Sequence, residues 1–138
     1  MASNERKDFV LVIDDDPEIC EALEIACRMH GYQVIVANNE FEALDAMENY
    51  SPSLVLIDYY GIADDTRKLI LRLKLIDARA PIVLMSGAQD CGVKMRELGL
   101  TQHLDKPFTM DGLLKLLTKS RIKNKPTVHD PVAFSLFG

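Results

Sequence analysis

Six side chains of this sequence would do chemistry together if the fold brought them to one place: Asp14, Asp15, Asp16, Asp58, Ser86 and Lys106. Each lies at the end of a short run that reads as a strand. Phe9 to Ile13 leads into the three aspartates, Leu54 to Ile57 into Asp58, Ile82 to Met85 into Ser86, and 101–105 into Lys106. In a parallel sheet all carboxyl ends share one edge, where open α/β folds place their sites. Asp16 stands before Pro17 and is accounted for as a helix cap. Asp14 and Asp15 are then free to face Asp58. Three carboxylates so close repel one another, and either one takes up a proton or a cation is bound. Oxygen-only ligands suit a hard divalent ion, and Mg²⁺ is the one that works with phosphate. Lys106 supplies a mobile positive charge and Ser86 a hydroxyl, each suited to a phosphoryl oxygen. A carboxylate nucleophile, a metal, a lysine and a hydroxyl are the parts of phosphoryl transfer to aspartate. Taken singly each acid is an ordinary cap or turn former. The combination at ordered strand ends is what is specific.

The elements that must position these groups follow from periodicity and from helix stop signals. Apolar runs of four or five residues predict buried strands at 9–13, 54–58 and 82–86, with Tyr32 to Ala37 as another. A helix runs from Pro17 to about His30, with Ile19, Leu23, Ala26 and Cys27 on one face, and Gly31 stops it. Asn38 or Asn39 caps the next helix, in which Phe41, Leu44 and Met47 recur at helical spacing, and Ser51-Pro52 ends it. A third helix spans about Asp65 to Asp77 with Leu69, Ile70, Leu73 and Ile76 inward. A short fourth, near Gln89 to Leu98, is weakened by Gly92. Residues 101–105 are a poor strand by composition. The last helix runs from about Thr109 to Arg121 and carries Leu113, Leu114, Leu116 and Leu117. Five alternations of strand and helix predict an α/β fold, a doubly wound parallel sheet covered on both faces.

Bulk properties fit that picture. The 138 residues are enough for one domain with a real core, which buries roughly two-thirds of the unfolded surface. Apolar residues make up 48% and charged residues 27%, as in a globular protein. A net charge of −5 argues against direct nucleic-acid binding and against an anionic membrane. No run is long enough for a membrane span, and the polar start has no signal-peptide core, so a cytoplasmic location is expected. Three cysteines without a Cys-x-x-Cys pair argue against redox or zinc-finger work. Cys20 and Cys27 read as core residues. Cys91, in a polar stretch, reads as exposed.

Val10 to Pro17, Leu54 to Asp58, Pro81 to Gly87 and Asp105-Lys106-Pro107-Phe108 together resemble the receiver domain of two-component response regulators, in its chemotaxis-receiver-like form. The resemblance covers residues 8 to about 121. It implies a flavodoxin-like five-stranded parallel sheet of order 2-1-3-4-5 with five helices, bounded by a polar extension at 1–7 and a tail at 122–138. It implies that Asp58 is the phosphoacceptor, with Mg²⁺ held by Asp15 directly, by Asp14 partly through water, by Asp58 and by the backbone carbonyl of Tyr60. Ser86 and Lys106 would bind the phosphoryl group, and the Lys106-Pro107 bond would be cis. Its partners would be a sensor histidine kinase or histidine phosphotransfer protein and a downstream protein target, with a homodimer through the fourth-helix/fifth-helix face also open. Such a chain is not an enzyme beyond its own phosphorylation and dephosphorylation.

The chain departs from the family pattern at named places. Ile62 and Asp65-Thr66 replace a usual proline and an Asp-Gly pair, which bears on the loop that carries the Tyr60 carbonyl. The stretch from Ser86 to Lys106 is about two residues short. His103 stands three before the lysine, where an aromatic switch residue is usual. It reads either as a switch with imidazole in the ring's place or as a plain exposed histidine. A metal-ligand reading lacks partners in the sequence. Tyr60 and Ala88 occupy positions that tune phosphoryl lifetime. Neither offers an acid or amide to orient water, so slow dephosphorylation is expected. Two other function classes compete. A haloacid-dehalogenase-like phosphohydrolase would need a second acid where Tyr60 stands. A degenerate receiver would act as a phosphorylation-independent interaction module.

Overall fold

The computed structural model describes residues 8–59, 63–87, 89 and 91–124. Ten elements alternate in order: β1 Phe9–Ile13, α1 Pro17–Met29, β2 Gln33–Ala37, α2 Glu40–Tyr50, β3 Leu54–Asp58, α3 Ala63–Ile76, β4 Ile82–Ser86, α4 Cys91–Glu97, β5 Gln102–Asp105 and α5 Met110–Asn124. The five strands are parallel in the order β2-β1-β3-β4-β5. The chain steps from β1 to one side, then returns to lay β3 on the other. The crevice between β1 and β3 is therefore the switch point at which open α/β sheets bind ligands.

Alternation along each strand sorts the core into two layers. Leu11, Ile13, Val55, Ile57, Ile82 and Leu84 face α2, α3 and α4. Val10, Val12, Leu54, Leu56, Val83 and Met85 face α1 and α5, where Leu23, Cys27, Leu113 and Leu117 meet them. Because helices cover both faces, the central strands are continuous apolar runs rather than alternating ones.

Local chemistry sets the helix ends. The Glu18 amide donates to Asp16 Oδ1 at 3.0 Å, with Pro17 at the first helical position. Of the two asparagines, Asn39 is the cap of α2: the Glu42 amide donates to its side chain at 2.8 Å, and Glu42 in return accepts from the Asn38 amide. Gly31 and Gly99 end α1 and α4 at φ 86° and 74°, conformations that favour glycine. α5 continues past Arg121 to Asn124, with Pro126 two positions further on. At the amino edge of the sheet, Ser53 joins three parts of the chain. Its hydroxyl lies 3.4 Å from Asp8 Oδ1, and its carbonyl accepts from the Ser120 hydroxyl at 2.7 Å.

Several predicted faces shift. α2 turns Ala43, Ala46 and Met47 inward and leaves Phe41 80% exposed. The two alanines let the helix approach the sheet closely, and a ring at their level would hold it off. Ile76 lies at the open end of α3 and is exposed rather than packed. Cys91 is buried, not exposed. It begins α4, where Cys91 and Met95, with Leu98 just past the helix end, form the inward stripe that its polar neighbours conceal.

Candidate functional site

The end of β1 places Asp14 in the crevice, fully buried. Its two oxygens have separate tasks. Oδ1 accepts the Asp16 amide at 3.0 Å, which fixes the turn into α1, and Oδ2 faces Lys106. Asp15, next in the chain, is exposed. Asp58 closes β3 with its side chain 17% exposed. The loop before α5 brings Lys106 over the crevice: its amide donates to the Ser86 carbonyl at 2.9 Å, and the bond to Pro107 is cis. Lys106 Nζ then donates at 2.7 Å to Asp14 Oδ2 and at 2.7 Å to Asp58 Oδ1. Ser86 ends β4 and is buried, one residue past Met85, which pairs in register with Asp58.

The charges are poised. Burial pushes the Asp58 carboxyl above its ordinary value; the Lys106 hydrogen bond opposes this, and the charges of Asp14 and Asp15 add to it. Burial alone would lower Lys106, but its hydrogen bonds and charge contacts with Asp14 and Asp58 outweigh that and raise it. Lys106 is thus a built-in counter-ion for two acids. Oxygens of Asp14, Asp15 and Asp58 lie within 4.8 Å of one another. This all-oxygen donor set fits a hard divalent ion such as Mg²⁺. Burial, then the Asp14 charge, pushes the nearby Cys20 thiol to about 11, and burial does the same to Cys27. Both thiols stay protonated core residues.

With this geometry in view, the known proteins to which the chain is similar become informative. The family model of the response regulator receiver domain matches residues 10–118. The chain belongs to that family. It is 35% identical over 118 residues to the transcriptional regulatory protein KdpE of Mycobacterium tuberculosis, covering 84% of this chain and 52% of that protein. It is 31% identical over 112 residues to sporulation initiation phosphotransferase F of Bacillus subtilis, covering 80% of this chain and 90% of that protein. A response regulator from Thermotoga maritima superposes with a TM-score of 0.73 at 25% identity, over 83% of this chain and 97% of that one. The chain thus spans about half the length of the first of these relatives and most of the second.

This receiver has the flavodoxin-like 2-1-3-4-5 sheet that the sequence predicts. It brings Asp14, Asp15, Asp58 and Lys106 into one cluster, with Ser86 at the adjoining strand end. Tyr60 and Ala88 lie outside the described residues, as do 1–7 and 125–138. Tyr59 packs its ring beside the core, with Lys94 Nζ 4.2 Å from the ring centre. His103 is exposed on β5, its Nδ1 3.0 Å from Asp105 Oδ1. Cys91 and Asp105, which the sequence does not mark as its partners, lie close to it. Pairing across the β4–β5 ladder and the packing of α4 create that proximity, and sequence spacing does not report it. Thr66, where the family's glycine would stand, buries a hydroxyl that has no hydrogen-bond partner among the described residues. Among those residues no helix is long and apolar enough to cross a membrane.

Proposed function

We propose that this receiver accepts a phosphoryl group on Asp58 from a histidine kinase or histidine phosphotransfer protein and passes the signal on by changing its protein contacts. The observation that carries this reading is the double contact of Lys106 with Asp14 and Asp58, both at 2.7 Å, beside three acids within 4.8 Å of one another. A carboxylate oxygen of Asp58 attacks phosphorus, the bond to the donor histidine nitrogen breaks, and the imidazole leaves with the electron pair. Mg²⁺ bound by Asp14, Asp15 and Asp58 would offset charge on the phosphoryl oxygens. Lys106 exchanges its contact with the Asp58 oxygen for a phosphoryl oxygen and keeps Asp14. The Ser86 hydroxyl donates to another phosphoryl oxygen.

A relay role also accords with the similarity to a protein named a phosphotransferase. The Tyr60 carbonyl would complete the metal site, and Tyr60 and Ala88 would leave the phosphoryl group long-lived. His103 would adjust the face formed by α4, β5 and α5 through which a target, or a second copy, binds. The receiver would work in the cytoplasm.

The test is incubation with Mg²⁺ and a small phosphodonor, followed by intact-mass measurement. Wild type gains one phosphoryl group and Asp58→Asn gains none. If the two behave alike, the receiver is a phosphorylation-independent interaction module.

A further inference from the structure

Outside the acidic crevice the fold assembles a second group of ligand-type side chains. His103 and Asp105 are two apart on β5, so both point to the same face of the sheet. Leu104 between them points to the opposite face and packs in the layer shared with α5. The face that His103 and Asp105 share is the one under α4, where Cys91 opens the helix. One ligand atom from each of Cys91, His103 and Asp105 lies within 4.8 Å of the other two. The cysteine is buried beneath, while the imidazole and carboxylate, 3.0 Å apart, are exposed above it. The donor set is sulfur, nitrogen and oxygen.

We propose that Cys91, His103 and Asp105 bind a borderline-soft divalent cation of the zinc class, with water as fourth ligand. Thiolate, imidazole and carboxylate are the three ligand types that Zn²⁺ takes, at about 2.0–2.3 Å each, and three protein ligands plus water make an open tetrahedral site. Binding would draw together donors that already lie within 4.8 Å of one another. Binding releases the Cys91 thiol proton to solvent, so affinity rises with pH. The two metal sites of the molecule then differ in kind. The all-oxygen crevice selects a hard ion, and the sulfur-bearing site selects a softer one. Occupation pins the start of α4 to β5. It also fixes Asp105, the residue before Lys106, and so restrains the backbone that carries the crevice lysine.

The full chain is titrated with Co²⁺, which reports a thiolate bond as a near-ultraviolet charge-transfer band, and the ion is then displaced with Zn²⁺. Wild type shows the band at one ion per chain. Affinity falls by about ten-fold or more in Cys91→Ser and in His103→Gln, and stays unchanged in Asp15→Asn, which alters only the oxygen crevice. His103→Gln changes an exposed side chain, so it reads the site even if Cys91→Ser fails to fold. Absence of the band in wild type, or wild-type affinity in His103→Gln, overturns the proposal.

Discussion

Lys106 and Asp14 are 92 positions apart in the chain, yet Nζ and Oδ2 meet at 2.7 Å, with the aspartate fully buried. The contact neutralises an acid that water cannot reach. Lys106→Met leaves that buried acid without its counter-ion, and this destabilises the fold. Breaking a buried pair from one side costs about 3 kcal/mol, measurable by chemical denaturation without divalent cations. The same change removes a positive charge beside the cation site. A unit charge at ~5 Å and an effective dielectric of ~20 is worth more than 1 kcal/mol, so Mg²⁺ affinity rises by about ten-fold or more. The chain has no tryptophan, and tyrosine fluorescence can follow the titration through Tyr59. Unchanged stability and affinity would show that the lysine is not acting as counter-ion.

Asp58 gives a pH dependence of defined sign. Its folded carboxyl titrates above the ordinary value of 3.8, so between those two values the native state binds more protons than the unfolded one. Its contribution is therefore fully present below the ordinary carboxyl range and is lost as the pH rises through the raised folded value. At neutral pH and without divalent ions, Asp58→Asn melts roughly 2–4 °C higher than wild type, the shift that about 1 kcal/mol makes in a domain of this size. The gap closes on acidification. Adding Mg²⁺ closes it from the other side by stabilising wild type. A variant that melts lower than wild type at neutral pH refutes this account.

Tyr32 Oη donates to the Leu117 carbonyl at 2.8 Å in a buried setting, and so ties the entry to β2 to the middle of α5. Tyr32→Phe keeps the ring and leaves that carbonyl without this donor. The expected loss is about 1 kcal/mol, read as a lower denaturation midpoint at unchanged slope. No change would mean that the bond adds nothing beyond packing.

Gly99 sits at φ 74° with nothing within 4 Å of an added Cβ. Space is therefore not at issue, and only the backbone conformation is. Gly99→Ala destabilises by about 1 kcal/mol. Because α4 has only seven residues, hydrogen exchange should increase there before elsewhere.

The sequence makes the strands legible because a sheet covered on both faces needs unbroken apolar runs. Leu54 to Ile57 is such a run, and its boundaries match the structure. Asp16-Pro17 is legible because capping is local. What escapes is set by packing at a distance. Phe41 looks like a core residue by hydrophobicity, but closeness of approach favours Ala43 and Ala46. Cys91 looks exposed beside Gln89 and Asp90, although its spacing to Met95 and Leu98 carries the buried stripe. β5 offers only Leu104 to the core and forms through its pairing with β4. That Asp14, Asp58 and Lys106 share an edge follows from parallel topology. That one ammonium bridges two carboxylates depends on side-chain reach, which no periodicity encodes. The approach of His103 to Cys91 is hidden for the same reason.

Ser53 holds Asp8 and Ser120 together at the amino edge of the sheet, while the acids and Lys106 gather at the carboxyl edge. The described fold therefore begins and ends at one pole and keeps its reactive mouth at the other. That separation makes the molecule easy to handle. A reporter placed beside Asp8 or Ser120 stands clear of the crevice, and Asp58 keeps its access to a partner.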